Sequence, residues 1–124
     1  LAAELLKTYD IVIGCDTDEF LVVDPRVERS LAKYLSGLKI KTSVSGLGFD
    51  IGQNMNCELK LNKNQPMLEQ RGFALLSTRY TKPIVINKPV SWGSGFHSIR
   101  HHNFHIDKNL YLLHGKNCLY YWTY

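Results

Sequence analysis

The stretch of sequence that decides the fold is IVIGCDTDEFLVV, residues 11–23. It begins with an apolar, β-branched run, Ile11 to Gly14, which predicts a short buried strand. Asp16 and Asp18 follow just past the carboxyl end of that strand, where ligands bind in open α/β sheets. Because neighbouring carboxylates repel each other and are costly to bury, this stretch predicts a partner that offsets their charge.

The Asp-x-Asp spacing indicates what that partner is. Side chains two residues apart on a strand point the same way, and in the turn after a strand both Asp16 and Asp18 can reach one cation. Hard oxygen ligands suit Mg²⁺ or Mn²⁺, which keep several waters and also bind substrate phosphates. The pattern therefore predicts a divalent cation that in turn holds a diphosphate. An exposed acidic turn without any ligand is the alternative that the same two residues allow.

Helices and strands are predicted on both sides of this stretch. Apolar residues near one face predict a helix over Leu1 to Thr8. A second apolar run predicts a strand over Phe20 to Val23. Asp24 is predicted to cap a helix that has Pro25 at its first position and ends near Gly37. Helical and strand segments thus alternate from the start of the chain.

The rest of the chain continues this mixture. Alternation and β-branched residues predict a strand from about Lys41 to Phe49, and the polar segment 53–66 is predicted to be a loop or an edge hairpin. MLEQRGFALL, residues 67–76, is predicted to contain a short helix. PIVI (83–86) and NLYLLHG (109–115) are predicted strands. Without a repeat or a linker, the whole chain is expected to form a single α/β domain.

Length and charge exclude several classes of protein. A chain of 124 residues is long enough for one compact domain with a modest core. The formal net charge of +4 is compatible with an anionic ligand but is far from the dense basic stripe of a nucleic-acid-binding protein, so no nucleic-acid partner is expected. No apolar run approaches the roughly 20 residues of a membrane-spanning helix, so no transmembrane segment is expected.

The N-terminus and the cysteines predict a cytoplasmic location. LAAELLKTYD, residues 1–10, lacks the basic region and the cleavage site of a signal peptide, and its pattern is that of a helix in mid-course. The chain is therefore expected to be part of a longer protein. Cys15, Cys57 and Cys118 are an odd number without a CxxC pair, which favours a reducing compartment and a role as small buried apolar residues.

Four histidines, His97, His101, His102 and His105, lie within nine residues. On a helix three of them would share one face and resemble a zinc site. NFHIDKN, residues 103–109, has turn character that argues against a helix, so scattered surface histidines are the alternative. His97 stands apart, because the glycines of the preceding WGSG allow a side chain to meet a ligand closely.

His114 ends the last predicted strand and is followed by Gly115 and Lys116. A neutral imidazole at this position is suited to complete a metal site, and a lysine behind it is suited to meet a phosphate. His114 and Lys116 are therefore predicted to belong to the same site as the aspartates.

Three acids outside the Asp-x-Asp motif are candidates for a general base: Asp50, Glu58 and Glu69. Each is equally compatible with a solvated surface acid. Neither a G-x-S-x-G sequence nor a P-loop is present, so a serine nucleophile elbow and a Walker-type phosphate loop are not expected.

DTDEFLVVDP after an apolar strand resembles the metal site of glycosyltransferases of the GT-A fold. The resemblance is strongest to a bacterial family-2-like group whose members carry D-x-D-E-F. Four later stretches are similar to that group and occur in its order: GFDI, LEQRG, KPIVINKPVSWGSGFH and LYLLHGK. The resemblance covers most of the chain and implies an α/β, three-layer, Rossmann-like domain with a mixed sheet.

The same resemblance implies a nucleotide-sugar donor, a glycan or other hydroxyl acceptor, and Mn²⁺ or Mg²⁺ as cofactor. In such enzymes the motif aspartates bind the metal and the donor's ribose or diphosphate, which corresponds here to Asp16 and Asp18. A histidine late in the domain often completes the metal shell. His114 matches best, with His97 second, and Lys116 would then lie near the diphosphate.

The resemblance also implies an acid that deprotonates the acceptor hydroxyl if the enzyme inverts, for which Asp50 and Glu69 are the candidates. The chain departs from the GT-A pattern at its N-terminus. The GT-A fold begins with a half that binds the nucleotide's base, long before the Asp-x-Asp motif. Residues 1–124 are therefore expected to be the C-terminal portion of such a domain.

Two other classes of function remain open from the residues. Phosphatases of the haloacid-dehalogenase type also place D-x-D after a buried strand, but they normally have Thr or Val where this chain has Phe20, and no later lysine with paired acids clearly completes that site. A non-catalytic module that uses the histidines for zinc, or the basic surface for an anionic polymer, is the third.

Overall fold

The computed structural model describes residues 1–94, 97–100 and 105–115 and the backbone of residues 121–122. In this part of the chain there are two α-helices, one short 3₁₀ helix and seven strands. They are α1 (Ala2–Leu5), β1 (Val12–Ile13), β2 (Glu19–Val23), α2 (Leu31–Gly37), β3 (Ser43–Asn54), the 3₁₀ helix (Met67–Glu69), β4 (Phe73–Leu76), β5 (Pro83–Ile86), β6 (Ile106–His114) and β7 (Tyr121–Trp122).

Strand β3 is the centre of the sheet, whose main order is β1-β5-β3-β6-β2. Ser45 pairs with Pro83 of β5 and with Ile106 of β6, so these two strands occupy opposite edges of β3. The β3–β6 pair is parallel, whereas β1–β5, β3–β5 and β2–β6 are antiparallel. The fold is thus a mixed α/β fold with a curled mixed sheet and few helices, which confirms the predicted fold class at this level.

The apolar core lies where β3, β5 and β6 meet α2. Strand β5 is buried at every position, because it lies between β1 and β3. The buried members of the main cluster are Val23, Leu35, Val44, Ile84, Val85, Leu110 and Leu112. A second cluster joins Val12, Ile86 and Ile99 at the β1 edge. The strands predicted over 20–23 and 83–86 are confirmed, and their apolar runs supply much of this core.

The predicted helix start at Asp24 and Pro25 is wrong. The Asp24 side chain accepts hydrogen bonds from the backbone N–H and the guanidinium of Arg26, which holds a turn instead of a helix. Helix α2 begins after Ser30, whose hydroxyl accepts a hydrogen bond from the Lys33 N–H at 3.3 Å. A serine at that position is a strong helix cap, and it is the one that the fold uses.

The short helix predicted over 67–76 is only partly present. The chain makes one 3₁₀ turn, Met67–Glu69, and then forms β4, which pairs with β3 from Phe49 to Gly52. Phe49 also pairs with β6, so β4 lies on the same edge of β3 as β5. The free edge of a long strand offers β4 its backbone partners, which outweigh the helical preference of the sequence. All four β4 side chains are exposed.

Four other boundaries differ from expectation by a few residues. Helix α1 is shorter than the predicted Leu1 to Thr8, β3 continues past Phe49 to Asn54, and β6 begins at Ile106. Strand β1 is shorter than the predicted Ile11 to Gly14, and of its two residues only Val12 is buried. Within the described ranges, no helix has the length and apolar character needed to cross a membrane.

Candidate functional site

The candidate site lies where β2 begins and β6 ends. These strands are antiparallel neighbours with Glu19 opposite His114, and β3 lies on the other side of β6 with Asp50 opposite His114. Side chains directly opposite each other on neighbouring strands project from the same face of a sheet. The turn before β2, which carries Asp16 and Asp18, therefore meets His114 and Asp50 at one end of the sheet.

His114 is buried between two carboxylates. Its Nδ1 lies 2.9 Å from Asp50 Oδ1, and its Nε2 lies 3.4 Å from Asp18 Oδ2. Because an ionised carboxylate only accepts hydrogen bonds, the Asp50 contact places the hydrogen on Nδ1. A neutral ring then presents the lone pair of Nε2 towards Asp18, whose side chain is 40% exposed.

Tyr80 covers one face of the His114 ring. The two ring centroids are 3.8 Å apart and the rings are inclined by 18°, which is a stacked arrangement. Burial raises the pKa of the Tyr80 hydroxyl, and the negative charge of Asp50 raises it further. The stacked ring and the Asp50 hydrogen bond together fix the orientation of His114, so that Nε2 keeps its direction towards Asp18.

Gly48 allows the segment that carries Tyr80 to cross the sheet. Any Cβ at this position would overlap with the backbone of Tyr80 and Thr81. The segment is held there by two hydrogen bonds, from the Gly48 N–H to the Thr81 hydroxyl at 2.9 Å and from the Ser77 N–H to the Gly48 carbonyl at 2.8 Å. Gly48 and Asp50 share a face of β3, so this crossing places Tyr80 above the site.

Lys82 offsets the negative charges of Glu19 and Asp16. Its side chain is 0% exposed, and its ammonium lies 2.8 Å from Glu19 Oε1 and 3.2 Å from Asp16 Oδ2. Burial alone lowers the pKa of a lysine, but the hydrogen bonds to Glu19 and Asp16 outweigh it, and the pKa of Lys82 is raised. The second Glu19 oxygen accepts the Asp16 N–H at 3.0 Å, which closes the network.

The two motif aspartates consequently have different surroundings. Asp16 contacts a buried lysine but keeps 51% of its side chain exposed. Asp18 faces His114, and its carbonyl accepts the Gly115 N–H at 2.8 Å, which ties the turn to the end of β6. Both carboxylates therefore remain accessible to a ligand from solvent. Of the two, Asp18 is the one that lies next to Nε2 of His114.

Cys15 precedes this turn and is exposed, not buried as predicted for the cysteines. Partial burial of the thiol raises its pKa, and the negative charges of Glu19 and Asp16 raise it further. The thiol is therefore poorly suited to act as a nucleophile near neutral pH. Cys57 is also exposed, and Cys118 lies outside the described residues.

The remaining predicted site residues lie apart from this cluster or outside the description. His97 is exposed, and its Nδ1 lies 3.2 Å from the Arg79 carbonyl. Glu69 is exposed at the end of the 3₁₀ helix, whose Met67 packs close to Gly115. The predicted phosphate contact Lys116 and the histidines at 101 and 102 fall outside the described residues.

The arrangement fits a cation that takes few ligands from the protein. Within the described ranges, no group of three or more His, Cys, Asp or Glu side chains is arranged to hold a metal ion. Two ligands at right angles, each about 2.1 Å from one ion, are about 3 Å apart. The 3.4 Å between His114 Nε2 and Asp18 Oδ2 is close to that separation. Mg²⁺ commonly uses one or two protein ligands and fills the rest with water and phosphate.

Sequence reasoning missed Lys82 and Tyr80. The signal for Lys82 was present: a lysine directly before the fully apolar run 83–86 must enter the core with its strand. A buried lysine needs an acid, and the acidic turn 16–19 needed a cation. Nothing in the local sequence marks Tyr80 as the residue that covers His114.

No family model, no curated protein and no solved structure matches this chain.

Proposed function

We propose that this chain is part of a metal-dependent glycosyltransferase, which moves a sugar from a nucleotide-sugar donor to an acceptor hydroxyl. The observation that carries the proposal is the arrangement around His114: Nδ1 is fixed by Asp50, and Nε2 faces the exposed carboxylate of Asp18. A carboxylate that orients a histidine is the usual support for a metal-binding imidazole. The resemblance of DTDEF and the later stretches to GT-A glycosyltransferases supports the same reading.

In this proposal Asp18 and His114 Nε2 bind one Mn²⁺ or Mg²⁺ ion, and water and the donor diphosphate complete its shell. Asp16 is exposed next to Asp18 and is the second motif carboxylate available to the ion or to the donor ribose. Lys116 is proposed to meet the diphosphate, because it follows Gly115 at the end of β6. The bound ion would offset the negative charge that develops on the leaving nucleoside diphosphate.

The chain's own residues divide the remaining tasks. Asp50 orients His114 and is mostly buried, so we assign it a positioning role before that of a base. Glu69 is exposed at the end of the 3₁₀ helix, whose Met67 packs close to Gly115. It is therefore the better candidate for the base that takes the acceptor proton in an inverting reaction. The mixed sheet supports, at a coarser level, the proposal of a GT-A three-layer domain.

The test is calorimetric titration of uridine diphosphate, and then guanosine diphosphate, with and without Mn²⁺. We expect binding that needs Mn²⁺ and that Asp18→Asn weakens by at least tenfold. Asp10→Asn is the matched control, since Asp10 is an exposed acid before β1. Equal Mn²⁺ binding by the parent protein and Asp18→Asn would exclude this metal site. Mn²⁺ binding without nucleotide binding would keep the metal site and remove the donor from the proposal.

One contact favours a second function, a phosphatase of the haloacid-dehalogenase type. Lys82 is a candidate for the later lysine of such a site, because its ammonium lies 3.2 Å from Asp16 Oδ2. A carboxylate neutralised by lysine can attack a phosphoryl group. Against this reading, the strand before the motif pairs antiparallel with β5. Mg²⁺-dependent hydrolysis of p-nitrophenyl phosphate that Asp16→Asn abolishes would favour the phosphatase over the transferase.

A further inference from the structure

Arg71 is a buried cation away from the acidic turn. It lies between the 3₁₀ helix and β4, and only 7% of the residue is exposed. Its Nη1 donates to the carbonyl of Gln70 at 2.8 Å and to the carbonyl of Leu59 at 3.1 Å. These carbonyls occupy one end of the guanidinium and supply no negative charge.

The other side of the guanidinium has no partner among the described residues. Nε and Nη2 of Arg71 are both shielded from solvent, and neither donates a hydrogen bond to any of them. Within the described part of the chain, no carboxylate forms an ion pair with Arg71. An arginine stays charged at any pH at which proteins are folded, so its buried charge and its unpaired N–H groups are both costly.

The unpaired atoms have the geometry of a two-point donor. Nε–H and one Nη2–H lie side by side on one edge of the planar guanidinium, and this edge binds two oxygens of a carboxylate or a phosphate at once. The end that carries Nη1 is the one taken up by carbonyls. The edge left unpaired is thus the one suited to an oxyanion.

The acid that contacts the residue next to Arg71 is already engaged. Glu58 accepts the N–H of Gly72, the residue after Arg71, at 2.6 Å, and it accepts the N–H of Asn54 at 2.8 Å through its other oxygen. Both carboxylate oxygens of Glu58 therefore hold backbone groups. This network closes the base of the loop over residues 55–70 without using the charge of Arg71.

The same loop is shaped by one further side chain. Gln70 receives the Asn62 N–H at 2.7 Å and donates to the carbonyls of Asn62 and Gln65 at 3.0 Å. The loop is therefore held at its base and its middle, while the Leu59 side chain that lies against solvent is 87% exposed.

We propose that Arg71 is the anchor of a separate anion-binding site, which takes one carboxylate or phosphate group of a small molecule through Nε and Nη2. This anion-binding site does not depend on the proposed sugar transfer, so evidence against one leaves the other unaffected. Since both nitrogens are covered, binding requires a local opening of the structure around the guanidinium.

The first experiment measures thermal unfolding at constant ionic strength while sodium chloride is replaced by sodium phosphate or by sodium acetate. We expect phosphate, acetate or both to raise Tm with a saturating dependence on concentration. Arg71→Lys keeps the charge but loses the two-point edge, so its half-saturating concentration should rise at least tenfold. Arg29→Lys, at an exposed arginine, is the matched control and should match the parent. The salt with the lower half-saturating concentration identifies the source as a phosphate or a carboxylate.

Two outcomes would overturn the proposal: no response of the parent protein to either salt, or an equal response in Arg71→Lys. Arg71→Gln tests the loss of charge, and Arg71→Lys remains informative if the glutamine variant does not fold. Proton–nitrogen correlation spectra give a direct readout, because the Arg71 Nε–H signal should shift on addition of the effective anion. An unchanged Arg71 signal at saturating salt would also contradict the site.

Discussion

Asp16 and Asp18, the two aspartates of the turn before β2, differ in the groups that lie next to their carboxylates. Asp16, together with Glu19, contacts the buried ammonium of Lys82, a cation that belongs to the chain. Asp18 lies 3.4 Å from Nε2 of His114 through Oδ2 and keeps 40% of its side chain exposed. Asp16 thus belongs to the ion-pair network of the turn, whereas Asp18 lies against His114, and both carboxylates remain accessible to solvent. The buried lysine explains why acids this close together are tolerated.

Removing the internal cation should have the largest effect. Lys82→Met leaves Glu19 buried without a charge partner, and we expect a loss of about 3 kcal/mol in the free energy of unfolding. Urea denaturation measures the loss. Lys33→Met is the control, because Lys33 is an exposed lysine in a surface pair with Glu28, and its effect should be much smaller. The double variant with Glu19→Gln should recover part of the loss, and a fully stable Lys82→Met would contradict the role of the ion pair.

A substitution at Gly48 should affect the surroundings of both aspartates, because Gly48 lies against the segment that carries Tyr80 and Lys82. Gly48→Ala places a methyl group against the backbone at Tyr80 and Thr81, so the segment that carries Tyr80 and Lys82 has to move. We expect a loss of about 2 kcal/mol in stability. Gly37→Ala adds the same methyl at the end of α2, where no atom lies within 4 Å. Similar unfolding free energies for the two variants would show that the crossing at Gly48 is not tight.

A smaller effect is expected when the hydrogen bond between Asp50 and His114 is removed. Asp50→Asn removes the carboxylate that fixes the tautomer of His114, so we expect Mn²⁺ affinity to fall by about tenfold. Stability should change less than in Lys82→Met, because no ammonium loses its partner. Calorimetric titration with Mn²⁺ compares the two variants. An unchanged Mn²⁺ affinity in Asp50→Asn would mean that His114 needs no orientation for this role.

The smallest expected effect concerns pH. The pKa of Lys82 is raised in the folded protein, so the folded state holds this proton more tightly than the unfolded chain. The resulting stabilisation is complete below the unfolded pKa of about 10.4 and is lost as pH rises through the higher folded pKa. Between pH 9 and about 11 the parent protein should therefore lose more stability than the variant that carries Lys82→Met and Glu19→Gln. Parallel pH profiles would contradict the raised pKa.

Local patterns predicted the parts of this fold that depend on neighbouring residues. The apolar run 83–86 and the strand at 20–23 were predictable, because runs of apolar and β-branched residues favour strands. The convergence of Asp16, Asp18 and His114 was predictable from their positions at strand ends. The Asp50–His114 contact was not, because it depends on the parallel register between β3 and β6. The proximity of Lys82 to Asp16 likewise follows from the pairing of β1 with β5.

The predicted helix boundaries were wrong where the local sequence favoured two different structures. Asp24 and Ser30 are both good helix caps, and only the turn made by Arg26 shows that Asp24 serves another purpose. The segment 67–76 has helical character, but the open edge of β3 supplies backbone partners that a local pattern does not reveal. In both cases the outcome was set by contacts with distant parts of the chain.

The central position of β3 has a consequence for how the protein is made. One edge of β3 is closed by strands that follow soon in the chain, but the other pairs in parallel with β6, where residue 45 meets residue 106. Topologies with such distant pairing fold slowly, and a growing chain exposes the unpaired edge in the meantime. Because β6 ends in His114, the same late event closes the sheet and assembles the site. The stacking of His114 on Tyr80 is therefore a reporter of completed folding.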